Sequence, residues 1–181
     1  DAKSSPTTRT QRRQVVAYHV NRQRQVVAYT RCMHKSHLLR AGRISLVGQT
    51  YHVTFATHDR RPLFDDFWLA REVMTLFGGL DHHGETRTHV LMLMPDHGHW
   101  LFTLESGSLG RVLSRAKSRS AHVVKSRRPE IEVVWQKDYF DHALRAEESF
   151  RAVGEYILAN PVRAGLVEQS GDYPHWFAEW V

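Results

Sequence analysis

The sequence predicts an α+β domain in which an antiparallel sheet carries helices on one side, in a ferredoxin-like arrangement. Residues 51–57 alternate β-branched and aromatic side chains in the manner of a strand. Residues 67–77 space their apolar side chains as a helix does. Two further strand-like segments, 88–94 and 99–104, flank the turn residues Pro95 and Asp96. Together these segments predict the opening order βαββ.

The second half of the chain completes the predicted order βαββαβα. A helix is expected over 108–127, a short strand over 133–136 and a last long helix over 147–159. Gly78-Gly79 is expected to end the first helix, and Asn160-Pro161 the last one, because proline disfavours helical geometry in the preceding residue. Gly165 suits the position that follows a short turn.

Composition indicates one domain with an apolar core and an extension. The chain has 181 residues, of which 41% are apolar. We place a basic, partly disordered extension at 1–37 and the domain at 38–181. Cys32 is the only cysteine, which suits a reducing compartment. No apolar run approaches the roughly 20 residues of a membrane span, and the polar first residues lack a signal peptide's apolar segment. We therefore expect a cytoplasmic, nucleoid-associated protein without membrane contact.

Positive charge is concentrated at the start of the chain. Residues 1–43 hold ten Lys and Arg against one acid, whereas the remainder holds 15 basic and 18 acidic residues. A basic arm beside a folded domain favours a polyanionic partner such as nucleic acid, although a solubilising tail is the alternative. The candidate DNA contacts in this segment are Arg12, Arg13, Arg22, Arg24 and Arg43. The near repeat at 13–18 and 24–29 is either a pair of short β segments or a duplication without structural meaning.

His97 and His99 form the most informative pattern for chemistry. On an extended segment two residues at i and i+2 project to the same face, and Gly98 points away. Two imidazoles so placed can hold one divalent metal and leave positions open for substrate oxygens. The alternative is a pair of histidines on the solvated face of a strand.

Tyr156 and Asn160 share one face of the last predicted helix, one turn apart. A phenol beside a metal can attack phosphorus, because the metal polarises the phosphate. The alternative interpretation is that Tyr156 is an aromatic residue of the core and that Asn160 caps the turn at Pro161. Tyr139 is the rival nucleophile; it follows the predicted strand at 133–136, whereas Tyr156 is favoured because Asn160 lies one helical turn away.

Five segments resemble the HUH single-tyrosine transposases, in particular the REP-associated tyrosine transposases. They are residues 60–64, 94–101, 134–136, 139–145 and 156–167, and the resemblance runs from about residue 38 to 176. Residues 1–37 fall outside it. The family usually has a bulky apolar residue where this chain has Gly98. We expect Gly98 to add backbone freedom between the two histidines and to weaken metal affinity.

The resemblance implies an HUH endonuclease fold and a mechanism. His97, His99 and Asn160 would bind Mg²⁺ or Mn²⁺, and Tyr156 would attack single-stranded DNA, leaving a 5′-phosphotyrosine link and a free 3′-hydroxyl. The implied substrate is a hairpin-forming, REP-type repeat, bound by a monomer or, alternatively, a dimer. The competing hypotheses are a catalytically idle hairpin-binding protein and a replication-initiator or relaxase-type nickase. Further candidate DNA contacts are Arg111, Arg115, Arg119, Lys125, Tyr139 and His142.

Four C-terminal aromatic residues allow two interpretations. They are Tyr173, Trp176, Phe177 and Trp180. Aromatic side chains can stack on unpaired bases, but packing onto the sheet is the favoured use because these side chains bury large apolar areas.

Overall fold

The computed structural model describes residues 45–146 and 148–181. The basic extension, the near repeat, the boundary at residue 38 and the candidate contacts Arg12, Arg13, Arg22, Arg24 and Arg43 lie outside the described residues. Nine helices and strands follow in the described part: β1 Thr50–Thr57, α1 Phe67–His82, β2 Thr86–Met94, β3 His97–Leu104, α2 Leu109–Arg127, β4 Trp135–Ala143, α3 Phe150–Leu158, α4 Asn160–Arg163 and β5 Trp176–Ala178. The predicted order βαββαβα is confirmed; α4 and β5 were not predicted.

The strands form one five-stranded sheet in the order β4-β1-β3-β2-β5. Every neighbouring pair is antiparallel, so the predicted α+β class is confirmed. β1 and β3 occupy the centre, with His99 of β3 opposite Thr54 of β1 on one side and Met92 of β2 on the other. The edge strand β5 pairs over only three residues with β2. The short length of β5 explains why alternation in the sequence did not reveal it.

Both faces of the sheet are covered by helices, which corrects the expectation that all helices lie on one side. α1 and α2 pack on a core that includes Phe55, Trp100 and Phe102. On the opposite face, Ile157 of α3 packs in a second core with strand residues such as Met92 and Leu101. The physical reason is that residues 90–94 of β2 are all buried, so apolar side chains on both faces of this strand need cover.

Three helix starts are fixed by side-chain caps. Asp66 accepts hydrogen bonds from the amides of Trp68 and Leu69, and Ser108 and Ser149 cap α2 and α3 in the same manner. The cap at Ser149 makes α3 start later than predicted. Contrary to expectation, α1 continues through Gly78-Gly79 to His82. Burial of Leu80 outweighs the roughly 1 kcal/mol that each glycine costs in a helix.

The C-terminal aromatic residues mostly pack back onto the sheet, as favoured from sequence. Tyr173 is buried in the second core, where its hydroxyl donates to the carbonyl of Leu93, and Trp176 and Trp180 pack against the same core. Phe177 stays exposed. In the part of the chain that the structure describes, no helix is long and apolar enough to span a bilayer.

Candidate active site

His97 and His99 lie at the start of the central strand β3, on the sheet face that α3 covers. Their rings are neighbours, with centroids 5.0 Å apart and planes at 80°. The sheet register confirms the shared face, because Met94 and Met92 of β2 stand opposite them and Met92 belongs to the second core. The predicted projection of both imidazoles to one side is therefore confirmed.

Each imidazole is held through its Nδ1 atom. The Nδ1 of His97 lies 2.5 Å from a carboxylate oxygen of Asp96. The Nδ1 of His99 lies 3.1 Å from the hydroxyl of Thr54 and 3.3 Å from Nε2 of His52. Within residues 45–146 and 148–181, the hydrogen bonds of both rings use Nδ1 and not Nε2. An ionised carboxylate accepts a hydrogen bond, so Asp96 favours the His97 tautomer that carries its proton on Nδ1 and leaves the lone pair of Nε2 for a metal, as carboxylates do in metal sites. At His99 the Thr54 hydroxyl can donate or accept, and a proton on Nδ1 would leave Nε2 for a metal in the same way.

Burial keeps this group of histidines neutral. It lowers the pKa of His99 well below its ordinary value, and the charges that His97 and His52 would carry if protonated, with those of Arg163 and Arg60, lower it further. Burial also lowers the pKa of His97, although the hydrogen bond to Asp96 opposes this shift. The pKa of His52 falls to about 4 through burial and the nearby charge of His142. A neutral imidazole can donate its lone pair to a metal at neutral pH, whereas a protonated one cannot.

Tyr156 and Asn160 are joined by Arg163. The guanidinium carbon of Arg163 lies 4.0 Å from the centroid of the Tyr156 ring, and Nη1 donates to the Tyr156 carbonyl at 3.0 Å. Nη2 of Arg163 also donates to the side-chain oxygen of Asn160. Asn160 is the first residue of α4, and Ala159 is the C-cap of α3; the side-chain nitrogen of Asn160 donates to the carbonyl of Ile157 in the last turn of α3. The oxygen predicted as a metal ligand thus accepts a hydrogen bond from Arg163.

Tyr139 and His142 lie on opposite faces of β4. Tyr139 packs against the core under α1 and α2, away from the two histidines of β3. His142 stands opposite His52 in the sheet and bonds Glu148 at 2.9 Å through Nε2. The structure therefore brings His142, but not Tyr139, to the face that carries His97 and His99.

The basic residues of α2 lie away from the histidine pair, because α2 covers the other face of the sheet. Arg111, Arg119 and Lys125 are exposed there, and Arg115 forms an ion pair with Glu85. Their contact with DNA stays a prediction.

Gly98 corrects the expectation of a loosened backbone. It pairs with Phe55 of β1 and Leu93 of β2 in the middle of the sheet. A Cβ atom at this position would lie 2.7 Å from Cε2 of Phe55 and closer still to Cζ. The Phe55 ring, stacked on Phe77 at 5.1 Å, fills the space that a bulky residue would need. Gly98 is thus matched to a large neighbour and held in a ladder on both sides.

Five residues at this site escaped the sequence argument: His52, Thr54, Arg60, Asp96 and Arg163. Asp96 stood beside the histidines but was interpreted only as a turn residue, and Arg60 and Arg163 lay in segments quoted only for their resemblance. The strand alternation at 51–57 could have placed His52 and Thr54 on one face. Their pairing with His99 required the register of β1 against β3.

The fold and the ordered motifs define an α+β protein of the HUH type. The chain belongs to the IS200-like transposase family, which it matches over residues 45–160. It is 29% identical to the REP-associated tyrosine transposase of Escherichia coli (strain K12) over 85 residues, which is 46% of this chain and 48% of the relative. The chain thus spans about half the length of this curated relative.

A solved structure shows the same fold. It is that of a REP-associated tyrosine transposase bound to a REP hairpin, with a TM-score of 0.60, 22% sequence identity and coverage of 74% of this chain and 79% of that one. The resemblance found in the sequence is confirmed by these similarities. Membership of the family places the chain among transposases, which are DNA-processing proteins.

Proposed function

We propose that this protein is a metal-dependent endonuclease and strand transferase of single-stranded DNA, acting on hairpin-forming, REP-type repeats through a 5′-phosphotyrosine intermediate. The observation that carries the proposal is the pair of neighbouring imidazoles whose Nδ1 atoms are both engaged. Their Nε2 atoms, on the sheet face covered by the helix that carries Tyr156, suit joint coordination of one ion.

His97, His99 and Asn160 are the proposed ligands of Mg²⁺ or Mn²⁺. The two imidazoles fit because burial keeps them neutral and their second nitrogens are oriented. Asn160 is proposed as the third ligand because residues 156–167 resemble the family's motif, and its side-chain oxygen accepts a hydrogen bond from Arg163. The described residues hold no cluster of three or more His, Cys, Asp or Glu side chains suited to a metal. When bound, the ion would withdraw charge from the phosphate oxygens and orient the phosphate for in-line attack.

Tyr156 is the proposed nucleophile. Its hydroxyl oxygen forms a bond to phosphorus while the bond from phosphorus to the 3′-oxygen breaks. The phenol proton passes to solvent and the departing 3′-oxygen takes up a proton, so charge and atoms balance. The DNA is left with a free 3′-hydroxyl and a 5′-phosphate linked to Tyr156, and attack by another 3′-hydroxyl on this link would join two strands.

A hairpin as substrate is proposed from the relatives: the solved relative is bound to a REP hairpin, and this chain shares its fold. We propose that the protein acts on such DNA as a monomer, in the cytoplasm beside the nucleoid.

The test is formation of a covalent protein–DNA adduct. The full-length protein is incubated with Mg²⁺ or Mn²⁺ and a pool of end-labelled, hairpin-forming single strands with randomised flanks, and the products are separated on a denaturing gel. A labelled band at the mass of protein plus DNA fragment is expected, together with a cleaved strand ending in a 3′-hydroxyl. A mobility shift under native conditions without any adduct would instead identify a hairpin-binding protein without catalysis. Equal adduct yield from strands without hairpins would favour a replication-initiator or relaxase-type nickase.

A further inference from the structure

Two arginines from distant parts of the chain contact residues of the proposed metal site. Arg60, which follows β1, lies 3.3 Å from the Asp96 carboxylate that holds His97, and Arg163, which ends α4, donates to the side-chain oxygen of Asn160. Neither is explained by metal binding. A guanidinium beside a metal site repels the ion, so two of them are a cost unless an anion binds in the same place.

Arg60 is held in place by a strained turn. Asp59 and Arg60 have φ angles of 54° and 55°, a region that residues other than glycine rarely adopt. The hydroxyl of Thr57 ties the turn down by contacting the carbonyls of Arg61 and Asp96 at 2.8 and 2.9 Å. Strain of this kind persists where the surroundings enforce it, which is commonly at functional sites.

The side chain of Arg60 reaches the carboxylate that holds His97. Its Nη1 lies 3.3 Å from Asp96, the carboxylate that holds His97, and the side chain is 45% exposed. A guanidinium has five N–H donors in a planar fork, so one contact with Asp96 does not exhaust it.

Arg163 reaches the site from α4. It is exposed, it lies over the Tyr156 ring, and it donates to the side chain of Asn160. One solvent-accessible cation therefore contacts both the proposed nucleophile and the proposed third ligand.

We propose that Arg60 and Arg163 bind the scissile phosphodiester from two sides of the His97–His99 pair. This inference rests on the function proposed above. A diester has two non-bridging oxygens that share one negative charge, and each can accept from one guanidinium fork. As Arg163 turns to the phosphate, it releases the oxygen of Asn160 for the metal. The phosphate anion also offsets the repulsion between the arginines and the metal.

The first experiment uses dimethyl phosphate, a diester without any DNA sequence. The wild-type protein, with Arg side-chain ¹⁵Nε labels, is titrated with dimethyl phosphate in the presence of Mg²⁺. The Nε signals of Arg60 and Arg163, assigned with Arg60→Gln and Arg163→Gln, are expected to shift together along one saturating curve. Arg61 and Arg151 are the internal controls, since both are exposed. Arg61 follows Arg60 in the sequence, and Arg151 lies in α3, the helix that precedes the one with Arg163. Absence of a shift at Arg60 and Arg163, or equal shifts at the two controls, would overturn the inference.

The second experiment separates phosphate binding from a merely structural role. Arg60→Gln and Arg163→Gln each remove a cation, so their affinity for Mn²⁺, measured calorimetrically without DNA, is expected to be unchanged or tighter. Their rate of adduct formation at saturating DNA should fall roughly tenfold to a hundredfold, the usual effect of losing a hydrogen bond to a charged group. Arg61→Gln and Arg151→Gln should match the wild type in both measurements. If Mn²⁺ affinity falls together with the rate, the arginines only hold Asp96 and Asn160, and the inference is wrong.

Failure of the two proposals can be told apart. Diester binding at Arg60 and Arg163 without any adduct from the hairpin pool would contradict the proposed function and leave the phosphate site standing. Adduct formation by a protein whose arginines ignore dimethyl phosphate would contradict the phosphate site alone.

Discussion

His97 and His99 show how a single atom in each ring can decide a residue's chemistry. Asp96 and Thr54 engage one nitrogen of each imidazole, which leaves the other nitrogen for a ligand. Burial lowers both pKa values, so at pH 7 neither ring carries the second proton that would compete with a metal ion. Two histidines on the solvated face of a strand would have neither these partners at Nδ1 nor the burial that lowers their pKa values.

At this scale we predict that His97→Ala and His99→Ala each abolish adduct formation, because two of the three proposed ligands are imidazoles. A chelator should have the same effect on the wild type, and added Mg²⁺ or Mn²⁺ should restore only the chelated wild type. Asn160→Ala should be milder, since an amide is a weak ligand that water can replace. Full activity in excess chelator would refute the metal-dependent mechanism.

Gly98 gives a prediction on stability. Gly98→Ala should destabilise the fold by about 1–3 kcal/mol, the usual cost of overpacking, because the new methyl group meets the Phe55 ring. Gly110→Ala is the matched control: nothing lies within 4 Å of its Cβ position in α2, so it should be neutral or stabilising by up to about 1 kcal/mol. Urea unfolding of the two variants and of the double variant Gly98→Ala/Phe55→Leu measures the change in the free energy of unfolding. If Phe55→Leu does not restore part of the stability that Gly98→Ala removes, the clash with the Phe55 ring is not the cause of the destabilisation.

At the scale of elements, the site depends on which face each strand and helix presents. β3 directs His97 and His99 to the face covered by α3, and β4 directs Tyr139 to the other face. The positions of Tyr139 and Tyr156 in the sequence do not tell which of them lies on the histidine face. The alternation of side chains along β4 does, because it places Tyr139 on the opposite face.

We therefore predict that Tyr156→Phe abolishes the adduct and leaves hairpin affinity within about twofold, since only a hydroxyl is lost and the ring stays under Arg163. Tyr139→Phe is the matched control and should keep the adduct. The measurements are the denaturing gel and fluorescence anisotropy with the same oligonucleotide. The opposite pattern, with cleavage by Tyr156→Phe and none by Tyr139→Phe, would make Tyr139 the nucleophile.

The neighbouring strands β1, β3 and β4 also place His52 between His99 and His142, which makes the sheet sensitive to acid. The pKa of His52 is lowered from 6.5 to about 4 in the folded protein. Between pH 6.5 and about 4, His52 binds a proton in the unfolded chain but not in the folded protein. The contribution of His52 to the free energy of unfolding is therefore fully present above pH 6.5 and is lost as the pH falls towards 4.

In metal-free buffer, the free energy of unfolding should fall by up to about 3 kcal/mol across this range because of His52. His97 and His99 add to the loss in the same direction, since their pKa values are also lowered. The comparison is urea unfolding of wild type and His52→Gln at several pH values between 7 and 4. His52→Gln should show a shallower dependence on pH, and parallel curves would contradict the assignment.

Across the whole molecule, charge is divided between the arm and the domain. Residues 1–43 carry ten basic residues and one acid, and the rest of the chain carries 15 and 18. A domain with more acids than bases binds DNA through local contacts and gains little long-range attraction of its own.

Deleting residues 1–37 should therefore weaken hairpin binding and flatten the dependence of log affinity on log salt by a few units. Each phosphate contact contributes about 0.7 to that slope for single strands. Adduct formation at saturating DNA should persist, because none of the proposed ligands lies in the deleted segment. Salt titrations of the full-length and truncated proteins on one hairpin test this, and an unchanged slope would show that the arm makes no contact.

Local sequence patterns were sufficient for the order of the elements and for the shared face of His97 and His99, since alternation in strands and helical spacing are properties of neighbouring residues. They were insufficient wherever the partner is distant in the chain. Helix α1 passes through two glycines because Leu80 in its last turn is buried. The strand predicted over 133–136 runs instead over Trp135–Ala143, because β1 pairs along it.

By itself, then, the sequence determined the antiparallel α+β class, the family and the shared face of His97 and His99. Only the tertiary structure decided that α3 covers the face opposite α1 and α2, that Phe55 fills the space left by Gly98, and that Asp96, Thr54, Arg60 and Arg163 gather around the site. The physical reason is that strand register and packing between helix and sheet bring together residues that are dozens of positions apart. No pattern within a single segment encodes those distances.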